Sequence, residues 1–99
     1  MSSNRLYVLI RSDLTKAQQA VQAGHAVGEW ALKNPQTWQN EYLIYLSVPS
    51  EDHIHEWANR LKEKDHKYVV FTEPDLGNQV TALATVSDGK DFSSLPLLR

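Results

Sequence analysis

Leu6-Tyr7-Val8-Leu9-Ile10 is an unbroken apolar run near the start of a 99-residue chain, and a strand without polar alternation must be buried on both faces. Double burial requires cover on both sides of a sheet, so this short run directs the chain toward an α/β architecture. The chain leaves the run through Arg11-Ser12-Asp13 into a helical stretch that reaches Ala31. Ser12, Asp13 and Thr15 each offer a side-chain oxygen to the free N–H groups at the start of that helix. Within it, Gln18, Gln22, His25 and Glu29 are spaced by four, three and four, which makes them a row on one face. Ala17, Ala20, Val21, Gly24, Val27, Gly28 and Ala31 form a small apolar stripe beside them. The stripe is expected to lie against the sheet and the polar row to face outward. A polar row that begins at the carboxyl end of a buried strand sits where open α/β sheets bind ligands.

Farther along, Asn34-Pro35 ends the helix, and Gln36 to Glu41 is a polar connection. Tyr42 to Val48 reads as a second strand. Ser50 is placed to cap a second helix whose first turn carries Glu51 and Asp52 and whose apolar stripe is Ile54, Trp57, Ala58 and Leu61. Tyr68 to Phe71 is a third strand, Thr72 to Asn78 a turn-rich loop, Val80 to Val86 a fourth strand, and Ser87 to Arg99 a mostly irregular tail. The first two strand-helix-strand connections are long enough for right-handed parallel crossovers. The connection between the third and fourth strands is too short for one, so the fourth strand runs antiparallel to the third. The expected fold is therefore one α/β domain over residues 1–99, with a mixed four-stranded sheet, flanking helices and β-α-β-α-β-β order.

Ninety-nine residues support a single core with much surface left exposed, and association into a homodimer would be a natural way to bury more. The chain has no cysteine, which removes disulfides, thiolate nucleophiles and cysteine-based zinc sites. No apolar run approaches the roughly 18 residues of a membrane span, and MSSNRLYVLIR lacks a long apolar leader, so a cytoplasmic protein with no membrane partner is expected. A net charge of −2 argues against indiscriminate coating of nucleic acid, which needs excess Lys and Arg. Local patches remain: Arg11 and Lys16 flank the first helix start. Arg60, Lys62, Lys64 and Lys67 cluster near the end of the second helix, where cations also favour the helix dipole.

His53 and His55 stand two residues apart on a helix and point in divergent directions, which argues against a metal site. The nucleophile elbow and the phosphate-binding glycine loop are both missing. His25 could act as a base, as an orienting group, or simply as a partner of Glu29. Thr72-Glu73-Pro74-Asp75 follows a strand end, and its carboxylates can approach the polar row, with Thr81 opening the next strand. Carboxylate, hydroxyl, imidazole and amide groups around one crevice suit hydrolysis by an activated water, without metal or cofactor. An ordinary turn and an ordinary strand threonine explain the same letters without chemistry.

Arg11-Ser12-Asp13-Leu14 followed by Ala17-Gln18-Gln19-Ala20-Val21-Gln22-Ala23-Gly24-His25-Ala26 resembles the type II peptidyl-tRNA hydrolase family. In that family a strand ending Arg-x-Asp-Leu precedes a helix reading approximately Gly-Lys-x-Ala-Ala-Gln-x-x-His-Ala. Val80-Thr81-Ala82-Leu83-Ala84 resembles the family's last core strand, and the element order agrees over nearly the whole chain. The resemblance implies a hydrolase II-like fold and cleavage of the ester between peptide and tRNA. It also implies catalytic roles for Lys16, Gln18, Gln22, His25, Asp75 and Thr81. Arg11, Asp13, Glu73 and Gln79 would bind the substrate, peptidyl-tRNA. The family lysine aligns with Gln18, and Lys16, two residues earlier, is rotated by roughly 200° on a helix. Glu73-Pro74-Asp75-Leu76-Gly77 replaces a longer aspartate-bearing segment, with Asp75 the expected site carboxylate and Glu73 the alternative. A non-catalytic relative that binds RNA or a protein through the same crevice is the rival reading.

Overall fold

The computed structural model describes residues 4–98; the first three residues of the amino-terminal stretch and Arg99 of the tail lie outside the described residues. The elements are β1 (Arg5–Arg11), α1 (Lys16–Lys33), β2 (Tyr42–Val48), α2 (Glu51–Glu63), β3 (Val69–Glu73) and β4 (Gln79–Ser87), with 3-10 turns at Pro74–Leu76 and Lys90–Phe92. They form one mixed sheet of order β2-β1-β4-β3, in which β1 is parallel to β2 and β4 is antiparallel to both β1 and β3. Leu6, Val8 and Ile10 pack with Ala23, Ala26 and Trp30 of α1, whereas Tyr7 and Leu9 pack with Ile54, Trp57, Ala58 and Leu61 of α2. One helix thus covers each face, as the double burial of β1 demanded. Among the described residues, no helix is long and apolar enough to cross a membrane.

Helix α1 is turned differently from the expected orientation. Its buried residues are Gln19, Gln22, Ala23, Ala26 and Trp30. Ala17, Ala20, Gly24, Gly28 and Ala31 are exposed, as are Val21 and Leu32. Burial of Trp30 accompanies this rotation, because one indole buries more apolar area than any single residue of the expected stripe. Its N–H donates to Thr37 Oγ1 at 3.0 Å, so the buried ring leaves no polar debt. The two glutamines tolerate burial because each finds partners, Gln19 donating to the Leu14 carbonyl at 2.8 Å.

Strand β3 starts one residue later than expected and runs on to Glu73, which shortens the loop after it. In the tail, Ser47 N–H donates to the Pro96 carbonyl and Leu98 N–H to the Tyr45 carbonyl, so 96–98 lies along the outer edge of β2. Gly89 precedes the second 3-10 turn with φ +87°, and a Cβ there would stand 2.1 Å from the hydroxyl of buried Tyr7. Only glycine fits both the angle and the space. Gly89→Ala should cost about 3 kcal/mol, from backbone strain plus overpacking. Thermal denaturation of Gly89→Ala, Tyr7→Phe and the double variant checks this. The double variant should recover part of the loss, because the hydroxyl is the nearest clashing atom.

Candidate active-site cleft

Thr15 turns out to be the cap of α1, and it engages Gln18 in a reciprocal pair: Gln18 N–H donates to Thr15 Oγ1 at 3.1 Å, and Thr15 N–H donates to Gln18 Oε1 at 3.0 Å. The backbone donor fixes the amide, since only its carbonyl oxygen can accept. One turn later, Gln22 is 2% exposed and holds two partners. Thr81 Oγ–H donates to Gln22 Oε1 at 2.6 Å, and Gln22 Nε2–H donates to Glu73 Oε1 at 3.1 Å. A carboxylate can only accept, so the direction of this chain is set from Glu73 backward.

Thr81 reaches α1 because of a bulge. Phe71 pairs with Ala82 and Thr72 pairs with Val80, which leaves Thr81 as the extra residue of β4. Extra residues at bulges re-aim their side chains, and here the re-aimed hydroxyl is fully buried beside Gln22. The Val80 N–H beside the bulge is taken by Glu51 Oε2 of α2 at 2.8 Å.

Above this chain lies a cleft of about 270 Å³ lined by Ala17, Gln18, Val21, Gln22, Glu73, Asp75 and Leu76. Gln18, Gln22, Glu73 and Asp75 of the expected residues therefore meet, with Thr81 beneath. His25 is not in the lining. Its exposed ring stacks on Phe71, centroids 4.4 Å apart and planes within 7°. Nor does it pair with Glu29, whose carboxylate meets Lys33 at 3.2 Å. Lys16 borders a separate groove with Ser12, Thr15, Gln19, Ser47 and the tail residues Pro96 to Leu98.

Arg11, expected to bind the substrate, is turned into the protein. Only 7% exposed, it donates to both Asp13 oxygens at 2.9 Å, to Gln79 Oε1 at 2.8 Å and to the Val80 carbonyl at 3.2 Å. Arg11, Asp13 and Gln79 thus tie the end of β1 to the start of β4, and four of the five guanidinium N–H groups donate inside the protein. His53 and His55 are engaged apart, with Ser50 Oγ at 2.9 Å and Glu51 at 3.6 Å. Among the described residues, no group of His, Asp and Glu side chains could hold a metal. In the basic cluster, Arg60 lies over the Trp57 ring and Lys64 pairs with Asp91. The residues not anticipated from sequence are Gln19, Phe71 and Leu76. Gln19 was findable, because it falls in the 19-22-23-26-30 pattern that ends at Trp30.

No family model matches the chain, and none of the curated proteins does. Among solved structures, the chain is similar to a protein of unknown function from Agrobacterium tumefaciens, with a TM-score of 0.74 and 13% identity over 100% of each chain. At that identity the likeness concerns the fold: an α/β domain with a mixed four-stranded sheet and two helices.

The hydrogen bonds from Arg11 hold the Asp13 carboxyl below its ordinary 3.8, and the guanidinium is raised in turn. A lowered carboxylate stabilises the fold above its unfolded pKa, and that contribution fades as pH falls through the folded value. Asp13→Asn should therefore be less stable than the parent at pH 7. The difference should shrink below about pH 4, as followed by urea unfolding across pH.

Proposed function

We propose that this chain is a metal-independent ester hydrolase of the peptidyl-tRNA hydrolase II type, acting on the bond between a peptide and the terminal ribose of tRNA. The observation that carries the reading is the cleft at the end of β3, where Glu73 and Asp75 face the amides of Gln18 and Gln22. A carboxylate of this loop takes a proton from water, and the water oxygen attacks the ester carbonyl carbon. The bond to the ribose oxygen then breaks, and that oxygen leaves with the proton the carboxylate took. The products are the peptide acid and a tRNA with its hydroxyl restored. Gln18 lines the cleft with its carbonyl committed to the cap, so its NH2 is what it has to offer a developing oxyanion. A second reading, a module that binds RNA or a protein partner without turnover, is favoured by the lack of a charged oxyanion donor in the cleft, whose lining includes neither Lys nor Arg.

Turnover of peptidyl-tRNA in EDTA, run beside binding of uncharged tRNA, separates the two. Cleavage supports the hydrolase, and binding without cleavage supports the module. A neutral amide stabilises an oxyanion less than a charged donor does. Gln18→Lys should therefore raise the cleavage rate constant about tenfold, equivalent to ~1.4 kcal/mol. The same substitution removes the capping oxygen and should lower Tm by a few degrees. A lower Tm with no gain in cleavage would remove position 18 from the oxyanion site.

A further inference from the structure

We infer that Glu73 rather than Asp75 is the carboxylate that activates water, and that Gln22 and Thr81 are positioning residues that hold it through one directed hydrogen-bond chain. The inference rests on the hydrolase reading and names the residue that does its central step.

Two carboxylates line the cleft, but they are held differently. Glu73 Oε1 accepts from Gln22 Nε2, and Gln22 is fixed in turn by Thr81 through a 2.6 Å bond between groups that are 2% and 0% exposed. Among the described residues, no other side chain bonds to the Glu73 carboxylate, which leaves its second oxygen to meet water. Asp75 sits on the one-turn helix Pro74–Leu76, is exposed, and has no side-chain hydrogen bond among the described residues. A general base works from a fixed position within reach of the proton it takes, and a misplacement of about 1 Å can cost about 100-fold. Glu73 has that fixity and Asp75 does not.

The direction of the chain matters. Thr81 must donate, because Gln22 presents its carbonyl to it, and Gln22 presents that carbonyl because its NH2 is needed by Glu73. The bulge at Thr81 supplies the hydroxyl at this spot; regular pairing would send position 81 to the opposite face of the sheet. The irregularity in β4 and the buried glutamine in α1 therefore have one joint result, the placing of a single carboxylate oxygen.

In the proton balance, the free oxygen of Glu73 takes H⁺ from water as the C–O bond to the carbonyl carbon forms. It returns that H⁺ to the ribose oxygen as the ester bond breaks, so the enzyme ends as it began.

The test is steady-state cleavage of peptidyl-tRNA by the full chain and its variants. Glu73→Gln should lose about 100-fold or more in kcat, as expected for a general base. Asp75→Asn should lose at least tenfold less than that. Gln22→Met and Thr81→Val should lower kcat by about tenfold with KM held within about twofold, and Thr81→Ser should recover most of the loss. Added formate should restore cleavage to Glu73→Ala and not to Gln22→Met, a result that general destabilisation cannot produce. Full activity in Glu73→Gln with loss in Asp75→Asn overturns the assignment and leaves the hydrolase reading standing. No cleavage by the parent chain overturns both.

Discussion

Strand β1 must be buried on both faces at once, and the other elements are arranged to allow it. It pairs with β2 on one side and β4 on the other, takes α1 against Leu6, Val8 and Ile10, and takes the α2 layer against Tyr7 and Leu9. Loss of either helix would leave large apolar side chains in water, at roughly 1.5–3 kcal/mol for each one fully uncovered, and loss of β2 or β4 would unpair the backbone of β1. Because β1 cannot move, its carboxyl end is a fixed point, and the cleft is built outward from it through Arg11, the α1 cap and the β3–β4 hairpin.

Much of this frame is legible in the letters. The apolar runs of β1 and β2, the Ile54-Trp57-Ala58-Leu61 stripe and the short β3–β4 link lead directly to the observed elements, because each signal is a strong periodicity or a hard length limit. The rotation of α1 is not legible from side-chain polarity. Counting small apolar residues puts the wrong face inward, since each alanine or glycine contributes little area and a tryptophan far more. Gln22 is buried because Glu73 of β3 and Thr81 of β4 await it, information that no local window contains, whereas Gln19 finds its acceptor at Leu14, just before its own helix.

The candidate site divides in the same way. Meeting of Gln22 with the Glu73–Asp75 loop follows from topology, since the start of α1 and the end of β3 share one sheet edge. The separation of Lys16 and His25 from that cleft follows from helical angle and from the Phe71 ring, which offers His25 a stacking surface. Arg11 illustrates a further limit: a cation read as available for a ligand is consumed by Asp13 and Gln79 once β4 arrives beside β1. The bulge at Thr81 has no signature in Val80-Thr81-Ala82, because it arises from the register of β3 against β4.

The strand order β2-β1-β4-β3 places the last strand to be made between two that precede it. Until β4 joins, the sheet has a vacant centre, with two facing edges on β1 and β3 whose backbone groups await the same neighbour. The sheet closes only when β4 slots in and forms ladders on both of its sides. Such late, long-range closure is slow compared with local pairing and exposes unpaired edges meanwhile. The cleft shares this timing, because Thr81 travels on β4. A chain that stops short of β4 has neither a closed sheet nor the Thr81–Gln22–Glu73 hydrogen-bond chain, so the cleft and the fold are completed in one event.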